Sequence, residues 1–187
     1  MKQHILPALR LTAVCAVVFM GIYSLLILAI AQAAPNKGNG QTIVVNGQVK
    51  GYALEGQSFT QDKYFNGRPS AVGYNAAGSA GSNKGPSNPD YLKDVQNKID
   101  TFLAHNPTVK KQDIPSELVT ASGSGLDPDI SPAAAFIQVD RIAKARNLDP
   151  LKIKVLVQNH LQKSLLTLIG PEKINVLQLN VDLDQLQ

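Results

Sequence analysis

Serines and histidines are the first place to look for catalysis in this chain. One loop reads Ser122-Gly123-Ser124-Gly125, and three histidines, His4, His105 and His160, could in principle activate a nucleophile. An α/β-hydrolase presents its serine within Gly-x-Ser-x-Gly at a sharp strand-to-helix turn, and no such pentapeptide occurs. A Ser-His-Asp triad would have to use His105, expected near a helix end, or His160, expected beside an apolar helix face. No His or Cys pair has the spacing of metal ligands, so no metal centre is expected. The stretch Gly78-Ser79-Ala80-Gly81-Ser82-Asn83-Lys84-Gly85 resembles a phosphate loop in composition only. Gly-x-x-x-x-Gly-Lys-Ser/Thr cannot be written across it, and an ordered turn is the expectation. Tyr64-Phe65-Asn66-Gly67-Arg68-Pro69-Ser70 is a different kind of cluster. Two aromatics, a guanidinium and a proline within seven residues suit a surface that becomes buried against a partner. The same residues could instead fill a core, with Arg68 paired to a local carboxylate. Asp127-Pro128-Asp129 reads as a turn that places carboxylates near the positive end of a following helix. These residues give no expectation of catalysis.

Whatever these loops do, the run from Leu11 to Ala31 decides where they do it. Its twenty-one residues include no Asp, Glu, Lys, Arg or His. A helix of that length spans about 30 Å, the thickness of a bilayer's hydrocarbon core. Lys2 and Arg10 precede the run and the next cation is Lys37, which favours a cytoplasmic N-terminus and an extracytoplasmic remainder. Ala31-Gln32-Ala33 would suit a signal-peptide cleavage site, but the apolar run is longer than a signal core of about 7–15 residues, so a retained anchor is expected. Within it, Gly21 and Ser24 are small positions where another helix could approach. The expected organisation is a cytoplasmic segment 1–10, a transmembrane helix 11–31, a linker 32–41 and an extracytoplasmic domain 42–187. The chain carries a net charge of +4, and beyond Lys110-Lys111 no basic block exists, which argues against nucleic-acid binding. Its single cysteine, Cys15, lies inside the apolar run, so the domain can form no disulfide.

Local signals then predict the elements of the domain. Thr42 to Val45, Asn46-Gly47 and the alternating run to Leu54 predict a β-hairpin. From Thr60 to Pro89, sixteen of thirty residues are Gly, Ser, Asn or Pro, too polar and too small to build a core. Tyr64, Phe65 and Tyr74 nevertheless argue that this stretch is an ordered loop. Asn88-Pro89 opens a helix with Leu92, Val95, Ile99 and Phe102 on one face, closed by Asn106-Pro107. Ile114 to Ala121 is expected to be extended. Ser131-Pro132 starts a helix bearing Phe136, Val139, Ile142 and Ala143. Asp149-Pro150 starts another, bearing Ile153, Leu156, Val157 and Leu161 and ended by Gly170-Pro171. Leu177, Leu179, Val181 and Leu183 alternate with period two and predict a final strand. The predicted fold class is α+β: one N-terminal transmembrane helix followed by a small antiparallel sheet packed with helices.

The order of these features resembles the C subunit of the Kdp potassium-transporting ATPase. The resemblance rests on the single N-terminal span, Tyr64 to Ser70, Gly81-Ser82-Asn83 with Gly85-Pro86, and Ser122 to Pro128. It also rests on Gln138-Val139-Asp140-Arg141-Ile142-Ala143 and Asn175-Val176-Leu177-Gln178-Leu179-Asn180. Asp140 departs from the family pattern, between motif residues. The resemblance implies a non-catalytic accessory subunit of an ATP-driven potassium importer in the cell (inner) membrane. Its implied partners are a channel-like potassium-conducting subunit, an ATP-hydrolysing P-type subunit, a small membrane peptide and lipid. It implies a catalytic-chaperone role that raises the ATP affinity of the hydrolysing subunit; potassium is the transported ion and ATP is reached through that subunit. The partner-facing set it implies is Tyr64, Phe65, Arg68, Pro69, Ser70, Asn75, Ser79, Gly81, Ser82, Asn83, Ser122, Gly123, Ser124, Gly125, Asp127, Pro128, Gln138 and Arg141. Leu11, Gly21, Ser24 and Ala31 belong to the anchor. The rival expectation is a membrane-anchored extracytoplasmic hydrolase, which requires Ser122 or Ser124 to meet a histidine in one pocket.

Overall fold

A computed structural model describes residues 2–163 and 170–186. It divides into two units, 1–41 and 42–187. The first is one long helix, built as α1 (Lys2–Cys15), a π-helical segment (Ala16–Ile22) and α2 (Tyr23–Ala33). Its apolar stretch, His4–Ala33, is 30 residues long, extending past the uncharged run at both ends. Such a helix satisfies its own backbone, as a lone segment in hydrocarbon must. In the wider π turns the Ser24 hydroxyl donates to the Phe19 carbonyl at 3.4 Å, helping to satisfy a ladder that has slipped out of register.

The second unit opens with the hairpin, β1 (Thr42–Val45) and β2 (Gln48–Tyr52). Asn46 and Gly47 take φ of 51° and 75°, the left-handed pair a two-residue turn requires. α3 (Pro89–His105) is capped as expected, the Asn88 side chain accepting from the Tyr91 amide at 3.1 Å. The segment expected to be extended, 114–121, instead contains a 3₁₀ turn (Ser116–Leu118), and Lys111–Asp113 forms another just before it. The Thr120 hydroxyl donates back to the Ser116 carbonyl there, a local bond that competes with an extended backbone.

β3 (Asp129–Ile130) leads into α4 (Pro132–Phe136) and α5 (Val139–Arg146), capped at the start by Ser131. A single helix was expected, and Gln138 breaks it. Its side-chain amide takes the Ala134 carbonyl at 2.9 Å, the acceptor its own backbone N–H would use in an α-helix, and that N–H moves to Ala135. Asn147, at φ 54°, ends α5 in a left-handed cap. α6 (Pro150–Asn159) starts at the expected Asp149 cap but stops well before Gly170-Pro171. The His160 ring takes up the Leu156 carbonyl at 2.9 Å, and Gln162 then pairs with Lys173. Residues 164–169, on which part of that expectation falls, lie outside the described residues.

The expected final strand is a helix. After β4 (Ile174–Asn175), which pairs antiparallel with β3, α7 runs Val176–Leu183 behind an Asn175 cap. Residues 176, 177, 179, 180 and 183 are buried, a helical face that includes the polar Asn180, which an apolar period-two count does not register. Among the described residues, the β3–β4 sheet thus packs with helices around Phe65, Ile130, Val139, Ile142, Ile153, Val157, Ile174, Leu179 and Leu183, and the β1–β2 hairpin forms a second two-stranded antiparallel sheet.

Candidate functional site

The Gly- and Ser-rich segments that looked most like site material are folded onto each other. The Ser122 amide donates to the Pro69 carbonyl at 3.1 Å, and the Ser79 hydroxyl to the Ser124 carbonyl at 2.9 Å. Two glycines permit the approach. A Cβ on Gly81 would lie 3.0 Å from the Gly123 carbonyl oxygen. One on Gly125, already at φ 68°, would meet Val72 at 2.7 Å and the Ala80 oxygen at 2.8 Å. Each loop also braces itself. Ser70 Oγ accepts from the Val72 and Tyr74 amides, Ser122 Oγ from Gly125 and Ser124 Oγ from Leu126. Asn75 caps a short 3₁₀ turn through the Ala77 amide, and Asp127 Oδ1 accepts from Asp129. Arg68 joins the two loops through Nη1 to Asp127 Oδ2 at 3.1 Å, while its buried Nε has no hydrogen-bond partner. The Tyr74 hydroxyl donates to the Arg68 carbonyl at 2.6 Å, and burial pushes that phenol above its ordinary 10.0.

Beneath this pair of loops lies a second network that carries the aromatic segment. Arg141 is only 8% exposed and its guanidinium is fully engaged. Nε donates to Asn106 Oδ1 at 3.1 Å and Nη1 to the Asp62 carbonyl at 2.8 Å. Nη2 reaches the Tyr64 carbonyl, Asn66 Oδ1 and Gln138 Oε1 at 3.0, 2.8 and 2.7 Å. Burial lowers the Arg141 pKa, opposed by the nearby Asp62 carboxylate. Two side-chain amides then read successive peptides of the loop. Asn180 exchanges two bonds with the Phe65 backbone, and Gln138 does the same with that of Asn66. Phe65 itself is fully buried. Tyr64 is half-buried, donates to Asp184 at 3.0 Å and lies under the Arg146 guanidinium, 5.0 Å from the ring centre. Burial first, and the Asp184 bond second, raise its phenol above 10.0.

The implied partner-facing set therefore sorts by depth. Phe65, Ser122, Gly125, Gln138 and Arg141 are interior; Tyr64, Arg68, Pro69, Ser70, Gly81, Asp127 and Pro128 are half-buried. Asn75, Ser79, Ser82, Asn83, Gly123 and Ser124 remain exposed at the loop tips. Asp62, Asn66, Asn106 and Asn180 complete the networks; Asn66 and Asn180 stand within the motif segments and Asn106 in a helix stop, but none of the four was expected as a site residue. The requirement of the hydrolase reading is not met among the described residues. Both serine hydroxyls accept from backbone amides, while His105 pairs with Asp62 at 2.8 Å and His160 with Asp182 at 2.7 Å. No group of three His, Cys, Asp or Glu side chains is placed to hold a metal among those residues.

Comparison with known proteins covers both units of the chain. The family described as "KdpC: K+-transporting ATPase, c chain" matches residues 5–185. The chain belongs to the KdpC family. The potassium-transporting ATPase KdpC subunit of Flavobacterium johnsoniae is 57% identical over 185 residues, covering 99% of this chain and 100% of the relative. The KdpC subunit of Bacteroides fragilis is 48% identical over 188 residues, covering 99% and 98%. That of Herpetosiphon aurantiacus is 46% identical over 191 residues, covering 100% and 98%. The KdpC match thus takes in the apolar helix, both Ser/Gly loops and α7.

Proposed function

We propose that this chain is the accessory subunit of an ATP-driven potassium importer. It is held by its N-terminal span with the N-terminus in the cytoplasm and the domain outside. The reading is carried by the end-to-end similarity to KdpC subunits of potassium-transporting ATPases. The partners are a channel-like potassium-conducting subunit, an ATP-hydrolysing P-type subunit and a small membrane peptide. The span meets its neighbours at Gly21, where a side chain would find open space, and at Ser24. The domain meets them through the loop tips Asn75, Ser79, Ser82, Asn83 and Ser124, with Arg68 as the anchoring cation behind them. The chain itself catalyses nothing; potassium is the cargo of the complex.

As a catalytic chaperone, the subunit raises the ATP affinity of the hydrolysing subunit. An extracytoplasmic domain is separated from cytoplasmic ATP by the bilayer, so the effect travels through the assembly as a coupling between subunits. A reporter fused after Gln187 will fold on the extracytoplasmic side, whereas a mature chain beginning at Ala34 would mean that the span is a cleaved signal. The functional test is the ATP dependence of potassium-stimulated hydrolysis by complexes purified with and without this chain. Omission should raise the ATP concentration for half-saturation; an unchanged value would reject the chaperone role.

A further inference from the structure

The hairpin β1–β2 has two unlike faces. On the inner one, Ile43 is buried, and Gly51 lets α7 approach: a Cβ there would collide with the side chains of Gln57 and Leu177. Just past β2, the Asn175 side chain donates to the Ala53 carbonyl at 2.7 Å and the Gly56 amide to the Leu126 carbonyl at 2.8 Å. The ribbon is therefore fixed to its domain. On the outer face, Val44 and Val49 are paired across the strands yet 53% and 60% exposed. Tyr52, paired with Thr42, is 43% exposed, and Leu54, just beyond the strand, is 72% exposed. Lys50, in the bulge between the Ile43 and Val44 pairings, belongs to the inner side, where it lines a cavity with Val45, Gln57, Leu177 and Asp184. A valine pair, a tyrosine and a leucine grouped in the open are what binding surfaces display.

Chain connectivity singles out one occupant. Residues 34–41 alone separate the apolar helix from Thr42, so the hairpin starts within about 30 Å of the end of the span, even with that segment fully extended. The face has the composition of an interfacial contact: aliphatic side chains for the acyl boundary and a tyrosine for the headgroup level. We propose that the outer face of the hairpin lies on the bilayer surface, Val44, Val49 and Leu54 entering the headgroup–acyl boundary and Tyr52 standing at the headgroup level. The inference rests on the span being retained, which the intact mass of the purified chain establishes beforehand.

The chain contains no tryptophan, so Val49→Trp adds its one indole. The full chain is reconstituted in vesicles of phosphatidylethanolamine and phosphatidylglycerol, with or without bromine on the acyl chains. Most of the indole emission should be lost in the brominated vesicles, and Val44→Trp should behave alike. Leu151→Trp, on the exposed side of α6, should keep its emission. Equal emission from the hairpin indole in both kinds of vesicle would overturn the proposal, as would equal quenching at position 151. Recovery of emission in vesicles holding the assembled transporter would assign the face to a partner subunit instead, and would equally overturn it.

Discussion

Tyr74 shows how far a single side chain in the Ser/Gly-rich stretch is committed to the fold. Its hydroxyl holds the Arg68 carbonyl, and burial raises its pKa above 10.0, so the folded state favours the protonated phenol. The sign of the linkage follows. The stabilising contribution is complete below the ordinary pKa and disappears as pH rises through the raised one. Tyr74→Phe, which loses one hydrogen bond, should cost about 1 kcal/mol at neutral pH. It should also flatten the alkaline loss of stability, followed by thermal unfolding of the full chain in detergent. A Tyr74 that ionises at the pH of free tyrosine, read from tyrosinate absorbance, would contradict the assignment. Arg68 and Phe65 show why the sequence left two readings open. Phe65 fills the core and Arg68 pairs with Asp127, yet Arg68 stays half-exposed behind the loop tips, where a pair with a carboxylate adds little stability.

At the scale of elements, α5 is the strut that holds the aromatic loop, and Arg141 is its point of attachment. The guanidinium serves five acceptors drawn from 62–66, Asn106 and Gln138. Removing it strands them in the interior, so Arg141→Ala should destabilise the domain by about 3–5 kcal/mol. Arg141→Lys should rescue little, since an ammonium cannot reproduce the fork. Unfolding that is unchanged in Arg141→Ala would show the network to be incidental. None of this was legible beforehand, because the partners lie as far apart as 72 residues for Gln138 and Asn66 and 115 for Asn180 and Phe65. The elements that were legible carry their signals within a few residues. Asn46-Gly47 sets a turn, and Asn88-Pro89, Ser131-Pro132 and Asp149-Pro150 set helix starts. The end of α3 at Asn106 was legible too, but the break at Gln138, the end of α6 and the identity of α7 failed for a shared reason. At Gln138, His160 and Asn180 a polar side chain takes a backbone group or a buried place that an apolar pattern does not register. Of the site, the order of the Ser/Gly segments was readable; their closure onto each other through Gly81 and Gly125 required the fold.

For the whole molecule, one apolar helix followed by a domain with internally braced loops suits a subunit whose task is attachment. Interior residues of the motif segments keep the loops in shape, while their tips stay exposed. A serine hydrolase would need a nucleophile joined to a base, whereas among the described residues Ser122, Ser124, His105 and His160 have separate partners. The most direct test is recovery from native membranes in mild detergent through an affinity tag after Gln187. The account predicts that the potassium-conducting and ATP-hydrolysing subunits will come with the chain, and that Arg68→Ala will reduce their recovery while leaving the chain folded. A chain that elutes alone, intact and folded, would contradict it.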